Sequence, residues 1–275
     1  ITQEGFVMKD IIRTHQISEL FSVQGKVVMI AGGGGLGTCF GKAFLENGAH
    51  VIFTAKRETK LELLKTELHK SGFSKTDYEL YLMDQRNKDE IEAVVAKIQE
   101  KNGTLDVLFN MAAIAPNDTA ENFAAHEVQN IIDTNLTGAI YTTQAVGKVM
   151  IEQGSGKIIQ IGSVAGYTTH SYESMPYEAS KAGVHQITRS FAVAWGKYNV
   201  NVNCIAPTWI MTPMLEDEPQ HYLDAVNEMH EFGRMAETDD LVGAAIFLAS
   251  DASNYISGHI LYVDGGWTAG KPLSY

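Results

Sequence analysis

Seven short runs rich in β-branched and other apolar residues recur along the chain and set the tightest limit on its fold. They are KVVMI (26–30), HVIFT (50–54), YELYLM (78–83), LDVLFN (105–110), KIIQI (157–161), VNVNCI (200–205) and HILYV (259–263). Most are nearly continuous in apolar residues, the pattern of strands buried on both faces of a parallel sheet. Helical patterns separate them, among them TCFGKAFLENG, KLELLKTELHKSG and KDEIEAVVAKIQEKNG. The first and third of these end at a glycine suited to a helix C-cap. Alternation sustained this long predicts an α/β protein, a doubly wound parallel sheet of about seven strands with helices on both faces. Such sheets take ligands beyond the carboxyl ends of their strands, so chemistry is expected there.

The 275 residues suffice for one large core or two small ones. No fixed-period repeat, low-complexity tract or Pro/Gly/Ser-rich linker divides them. The expectation is one domain over 25–275, preceded by a lead-in over 1–24 that carries no motif. With 45% hydrophobic and 20% charged residues, the balance is that of a globular chain. A net charge of -12 argues against a nucleic-acid partner or an anionic membrane surface, both of which need clustered Lys and Arg. No apolar run reaches the roughly 18 residues of a membrane span, and no apolar signal core opens the sequence. Cys39 and Cys204 share no metal-like spacing and the histidines form no cluster, so no metal is expected. A reducing, cytoplasmic compartment is the simplest expectation.

KVVMI runs into AGGGGLG, in which Gly32, Gly34 and Gly37 fit G-x-G-x-x-G and a helical pattern follows at once. Such a loop, here with Gly35 and Leu36 inside it, lets the backbone turn tightly and approach a pyrophosphate whose charge meets a helix N-terminus. Glycine runs also occur in plain turns, but the place of this one between a first strand and a helix makes a dinucleotide site the expectation. About 20 residues on, the end of the second strand should read the adenosine ribose, with Asp or Glu for NAD. FTAKRE puts Ala55 at that place, with Lys56 and Arg57 next to it. Two cations beside a missing carboxylate suit a 2′-phosphate, so NADP(H) is expected over NAD(H).

SMPYEASKAG sets Tyr177 and Lys181 four residues apart, side by side on one face of a helix. A tyrosine titrates near 10, and a neighbouring ammonium favours the phenolate and lowers that value toward use as an acid–base. Ser163 directly follows the fifth strand, at the carboxyl edge of the sheet, within reach of a substrate oxygen. Tyr-x-x-x-Lys alone occurs by chance in many helices. Joined to the glycine loop and a strand-end serine, it reads as a proton-transfer site.

In these motifs the sequence resembles the short-chain dehydrogenases/reductases, a family of Rossmann-fold enzymes. The likeness runs from about Lys26 to Trp267. It rests on AGGGGLG, NMAA (110–113), Asn135 in DTNLTG, Ser163, YEASK (177–181), CIAPTWIMTPM (204–214) and VDGG (263–266). The resemblance implies hydride transfer between a nicotinamide and a carbonyl carbon. It implies that Tyr177 exchanges a proton with the substrate oxygen while Ser163 holds that oxygen. Lys181 would bind the nicotinamide ribose and lower the tyrosine pKa, and Asn135 would anchor a relay water. Asp84 would accept from the adenine amino group with Gln85 beside it, and Asn110 and Ala112 would line the cofactor groove. Pro207, Ile210 and Thr212 would close over the nicotinamide. SMPYEASK in particular is similar to what sugar-acid and polyol members such as the gluconate 5-dehydrogenases carry.

The chain departs from the family in Ala31 where threonine is common and in a glycine loop one residue shorter than usual. NMAA replaces Asn-Asn-Ala-Gly, and Thr208 replaces the glycine usual after Pro207. Fourteen positions separate Ser163 from Tyr177, one more than is common, which enlarges the loop VAGYTTHSYESMP. Its hydroxyls and His170 suit a sugar, polyol or sugar acid better than an acyl chain, although an exposed loop would be polar too. His170 and Trp209 join Ser163 and Tyr177 as candidates for substrate contact, and LEDEPQHYLDAVNEM reads as a helical lid. One competing reading is a 3-ketoacyl thioester reductase, whose acidic carrier would want a basic patch that this acidic chain does not show. Another is a non-catalytic NADP(H)-binding regulator, which would be expected to lose Tyr177 or Lys181. A homotetramer is expected, from the family's habit of pairing through the Tyr-x-x-x-Lys helix and the last strand. GHILYVDGGWTAGKPLSY points the same way, because a monomer would expose its aromatic residues.

Overall fold

The computed structural model describes residues 16–169, 171–211 and 219–270. All seven expected strands are present: β1 (Val27–Ala31), β2 (His50–Ala55), β3 (Tyr78–Leu82), β4 (Val107–Asn110), β5 (Gly156–Ile161), β6 (Val200–Pro207) and β7 (Ile260–Val263). They form one wholly parallel sheet in the order β3-β2-β1-β4-β5-β6-β7. The doubly wound sheet read from the sequence is the one observed. Every residue of β1, β4, β5 and β6 is buried, which is why β1 and β4 read as continuous apolar runs, while β6 alternates valine with the buried Asn201 and Asn203.

Among the described residues the α-helices are α1 (Ile17–Leu20), α2 (Gly35–Glu46), α3 (Glu58–Lys70), α4 (Lys88–Asn102), α5 (Ala125–Ile132), α6 (Gly138–Gln153), α7 (Met175–Trp195), α8 (Gln220–Glu228) and α9 (Val242–Ala249). Their apolar faces close two core layers, one on each side of the sheet. One is built around Phe40, Phe44, Phe53 and Phe109, the other around Met29, Ile52, Ile91 and Leu108. In the first, the Phe109 ring meets Phe40 and Phe44 edge-on at 5.3 and 5.2 Å, and truncating it to alanine would cost about 3–5 kcal/mol. Asn87 starts α4 by accepting hydrogen bonds from the backbone N–H groups of Asp89 and Glu90. Gly103 ends it in the left-handed conformation expected of a C-cap, at φ 73°.

The strand order reverses between β1 and β4, so the crossovers leave these two neighbours on opposite sides and open a crevice beyond their carboxyl ends. No helix among the described residues is long and apolar enough to cross a membrane. No group of His, Cys, Asp or Glu among them is placed to hold a metal ion.

Candidate active site

The crevice holds a cavity of about 640 Å³, with Gly32, Gly34, Gly35, Leu36 and Gly37 along its lining. The chain leaves β1 through Gly32 at φ 117° and enters α2 at Gly35. Only glycine serves at Gly32, because a Cβ there would lie 2.6 Å from the backbone nitrogen of Ala112. A Cβ on Gly37 would fall 2.4 Å from the Gly32 carbonyl oxygen and push helix from strand. Gly34 and Gly35, by contrast, face open space. The N-cap of α2 is Gly34, which has no side chain to offer the first-turn N–H groups. A close-approaching backbone with free donors at a helix N-terminus fits the pyrophosphate of a dinucleotide.

Ala55, Lys56, Arg57, Asp84, Gln85 and Ala112 all lie on the lining of this cavity, as expected. The Asp84 carboxylate pairs with Arg86 at 2.7 Å and Lys56 at 3.1 Å. The Arg86 guanidinium, followed by the smaller bond to Lys56, holds the Asp84 carboxyl well below the usual carboxylate range. Arg86 also donates to the side-chain oxygen of Asn130 on α5, 2.8 Å away. Arg57 and Lys60, one turn into α3, pair with no carboxylate among the described residues. The Gln85 amide donates to the carbonyls of Ala112 and Thr134 and so fixes the wall between β4 and the segment before α6.

Asn110 departs from its expected place. It is buried at the end of β4, and its amide donates to the Ala139 carbonyl at 3.0 Å and the Thr143 hydroxyl at 3.4 Å. The pleat of the strand aims this side chain at α6, and Met111, Ala112 and Ala113 line the cavity instead. Pro207 is the buried last residue of β6, and Ile210 forms a bridge to Ala236. Neither lies on this lining. Thr212 and His170 fall outside the described residues.

Beyond the cavity's inner wall stands the acid–base group. Pro176 sits in the first turn of α7, where its fixed φ favours helix initiation, and Tyr177 and Lys181 follow on one face. The Lys181 side chain is buried, and its ammonium donates to the carbonyl of Ile161, a cavity-lining residue, at 2.7 Å. Burial pulls the Lys181 pKa down to about 8. Its nitrogen lies 5.6 Å from the centre of the Tyr177 ring. Ser163 accepts from the Ala165 N–H at 3.1 Å and is hydrogen-bonded to the Tyr177 phenol. Burial raises the Tyr177 pKa, and the Ser163 bond lowers it only part of the way back. Burial therefore dominates at Tyr177 and holds the phenol in its protonated form.

Asn135 lies in a π-helical segment, Asp133–Thr137, between α5 and α6. Its Oδ1 accepts from the Ile114 N–H, and its Nδ2 donates to the Ile114 carbonyl, each at 2.8 Å. The second amide hydrogen goes to the Ser180 hydroxyl at 3.1 Å. Both amide hydrogens are therefore engaged, and a relay water cannot rest on them. One turn beyond Lys181, buried His185 is held neutral, its pKa moved down to about 4 by burial and then by the charges of Arg189 and Lys181. The sequence reading passed over His185.

Near the enlarged loop a second cavity, about 330 Å³, is lined by Tyr167, Thr168, Thr169, Met229, Trp267 and Thr268. Three of these come from the polar loop singled out above. Trp209 stands behind this mouth, its ring edge-on to Trp267 at 6.0 Å. Besides His185, sequence reasoning missed Lys60, Arg86, Met229 and Trp267. Only Lys60 left a usable signal, its helical spacing of four from Lys56.

Residues 30–268 match the family model described as enoyl-(acyl carrier protein) reductase. The chain is 34% identical over 256 residues to the 2-dehydro-3-deoxy-D-gluconate 5-dehydrogenase of Bacillus subtilis (strain 168), covering 91% of this chain and 98% of that one. It is 32% identical over 253 residues to the 5-keto-D-gluconate 5-reductase of Escherichia coli (strain K12), covering 91% and 98%. The crystal structure of a gluconate 5-dehydrogenase from Burkholderia cenocepacia J2315 in complex with NADP and tartrate is similar with a TM-score of 0.85 at 29% identity, over 92% of this chain and 99% of that one. With sheet, glycine loop and relatives in agreement, the chain belongs to the short-chain dehydrogenases/reductases, oxidoreductases that use a nicotinamide cofactor on alcohol and ketone groups.

Proposed function

We propose that this enzyme interconverts a ketone and a secondary alcohol on a sugar acid, with NADP(H) as its cofactor. The observation that carries the reading is the cavity lining. Lys56, Arg57, Lys60 and Arg86 gather there around the single carboxylate of Asp84, and Ile161 connects the same lining to Lys181. Four cations against one carboxylate suit a ribose bearing a phosphate and leave nothing at Ala55 to receive a ribose diol. The sugar-acid assignment draws on the hydroxyls of Tyr167, Thr168, Thr169 and Thr268 at the mouth and on the gluconate enzymes among the relatives.

When bound, the nicotinamide supplies or takes up the hydride. The chain supplies the proton. In reduction the Tyr177 phenol, kept protonated by burial, gives its proton to the carbonyl oxygen as the carbon gains a hydride. The phenolate left behind is stabilised by the Lys181 ammonium and the Ser163 hydroxyl, and it is reprotonated before the next turnover. Oxidation runs the same transfers in reverse. Asn135 holds Ile114 in the wall and carries no proton itself.

The test is to offer the purified protein 5-ketogluconate, other ketoses and ketoacyl thioesters with NADPH and with NADH. Sugar-acid turnover with NADPH should dominate, and Tyr177→Phe should drop kcat below about a hundredth while leaving NADPH binding intact. Preference for a ketoacyl thioester would overturn the substrate, and an active Tyr177→Phe enzyme would overturn the acid–base assignment.

A further inference from the structure

Where a glycine usually follows the proline that ends the sixth strand, this chain has Thr208. Thr208 is buried, and its hydroxyl lies 2.7 Å from Nε2 of His230, itself buried. The other ring nitrogen of His230, Nδ1, is 2.7 Å from the Val226 carbonyl oxygen. A carbonyl only accepts, so Nδ1 carries a hydrogen, and in the neutral form of the ring Nε2 accepts from the Thr208 hydroxyl. A single directed chain of hydrogen bonds thereby ties the end of β6 to the C-terminal turn of α8.

Both partners adjoin the mouth. Met229, which lines it, precedes His230, and Trp209 follows Thr208. The Trp209 ring stands edge-on to His230 and to the mouth-lining Trp267, each at 6.0 Å. The helix is otherwise thinly anchored: Val226 is its only buried residue, and Asn227 accepts from the Met235 N–H at 2.9 Å. A glycine at 208 would leave this face of α8 without its fixed point.

We propose that Thr208 and His230 are positioning residues for substrate. Their buried hydrogen bond sets the Met229 wall of the mouth at a fixed distance from Trp267, to fit a polyhydroxylated carbonyl substrate. The identity of the occupant rests on the sugar-acid reading, and the bond's role does not. Replacing Thr208 by valine removes the hydroxyl at constant shape, and Thr208→Ser keeps it.

The experiment measures KM, kcat and NADPH affinity, on whichever carbonyl compound the wild type reduces best, together with hydrogen exchange of the amides in 220–229. Thr208→Val should raise KM about tenfold, hold kcat within about threefold and leave the NADPH dissociation constant within about twofold. Its α8 amides should exchange about tenfold faster, and Thr208→Ser should match wild type in every reading. Equal KM values for the valine and serine variants would overturn the proposal, whether or not exchange differs. If Thr208→Val does not fold, Thr208→Gly takes its place under the same readings. A wild type that ignores sugar acids would defeat the substrate assignment alone.

Discussion

Lys181 carries its ammonium into a wall that offers it the Ile161 carbonyl at 2.7 Å, and burial brings its pKa down to about 8. Tyr177 is moved the opposite way, above its ordinary value, by its own burial. In reduction both groups act in their protonated forms. The reductive kcat/KM should therefore stay level near neutrality and fall once the pH passes about 8, where Lys181 first loses charge. The oxidative rate, which needs the phenolate to take up a proton, should climb only as the pH rises toward the raised Tyr177 pKa. A pH profile in both directions checks this, and a reductive limb that stays flat well above pH 8 would remove Lys181 from the proton-transfer group. The Tyr–Lys pair was legible in the sequence because a spacing of four is already geometry on a helix. Asn110 was misplaced because which side of the sheet a strand-end residue faces depends on the register of its neighbours. Asn135 was found without its π-helical turn, which local pattern does not reveal.

At the scale of elements, the turn from β2 into α3 makes the cofactor choice testable. Ala55 closes the strand, Arg57 is the N-cap of the helix, and Lys60 rises one turn later. Because Lys56 is already paired with Asp84, the unshared charge there belongs to Arg57 and Lys60. Ala55→Asp should weaken NADPH by repulsion and strengthen NADH by a new bond to its ribose, each by roughly 1.5–3 kcal/mol, a tenfold to hundredfold change in affinity. Lys60→Gln should weaken NADPH alone. Matched titrations of both cofactors decide the matter, and a wild type that binds NADH as tightly as NADPH would reduce these cations to surface charges. The strands themselves were readable almost to the residue, since buried parallel strands leave continuous apolar runs. Edge strand β3 hid one feature: Glu79 is buried there against Tyr81 at 2.6 Å, His50 at 2.8 Å and Asn102 at 3.1 Å. Tyr81 lies two residues away, but His50 and Asn102 come from other stretches of the chain, so no local window could have supplied the whole set.

For the whole molecule, a net charge of -12 means that copies of this chain repel one another. Assembly must then come from apolar contact and backbone pairing, and the fold leaves both in view. Val193 on α7 is 87% exposed and Tyr255 fully so. Strand β7 pairs only with β6, leaving one edge of the sheet open among the described residues. We expect four copies to associate through these faces, with α7 packing on a second α7 and β7 lying against a second β7. Sedimentation at micromolar concentration should give a single species of about four times the chain mass. Added salt should not dissociate it, because salt screens the repulsion and leaves apolar burial intact. Val193→Glu places a like charge at the centre of the contact and should shift the species to smaller assemblies while each chain still folds, since the side chain it replaces touches no core. A wild-type monomer at that concentration would overturn the expectation and would return Val193 and Tyr255 to the ordinary scatter of exposed apolar residues that any surface carries.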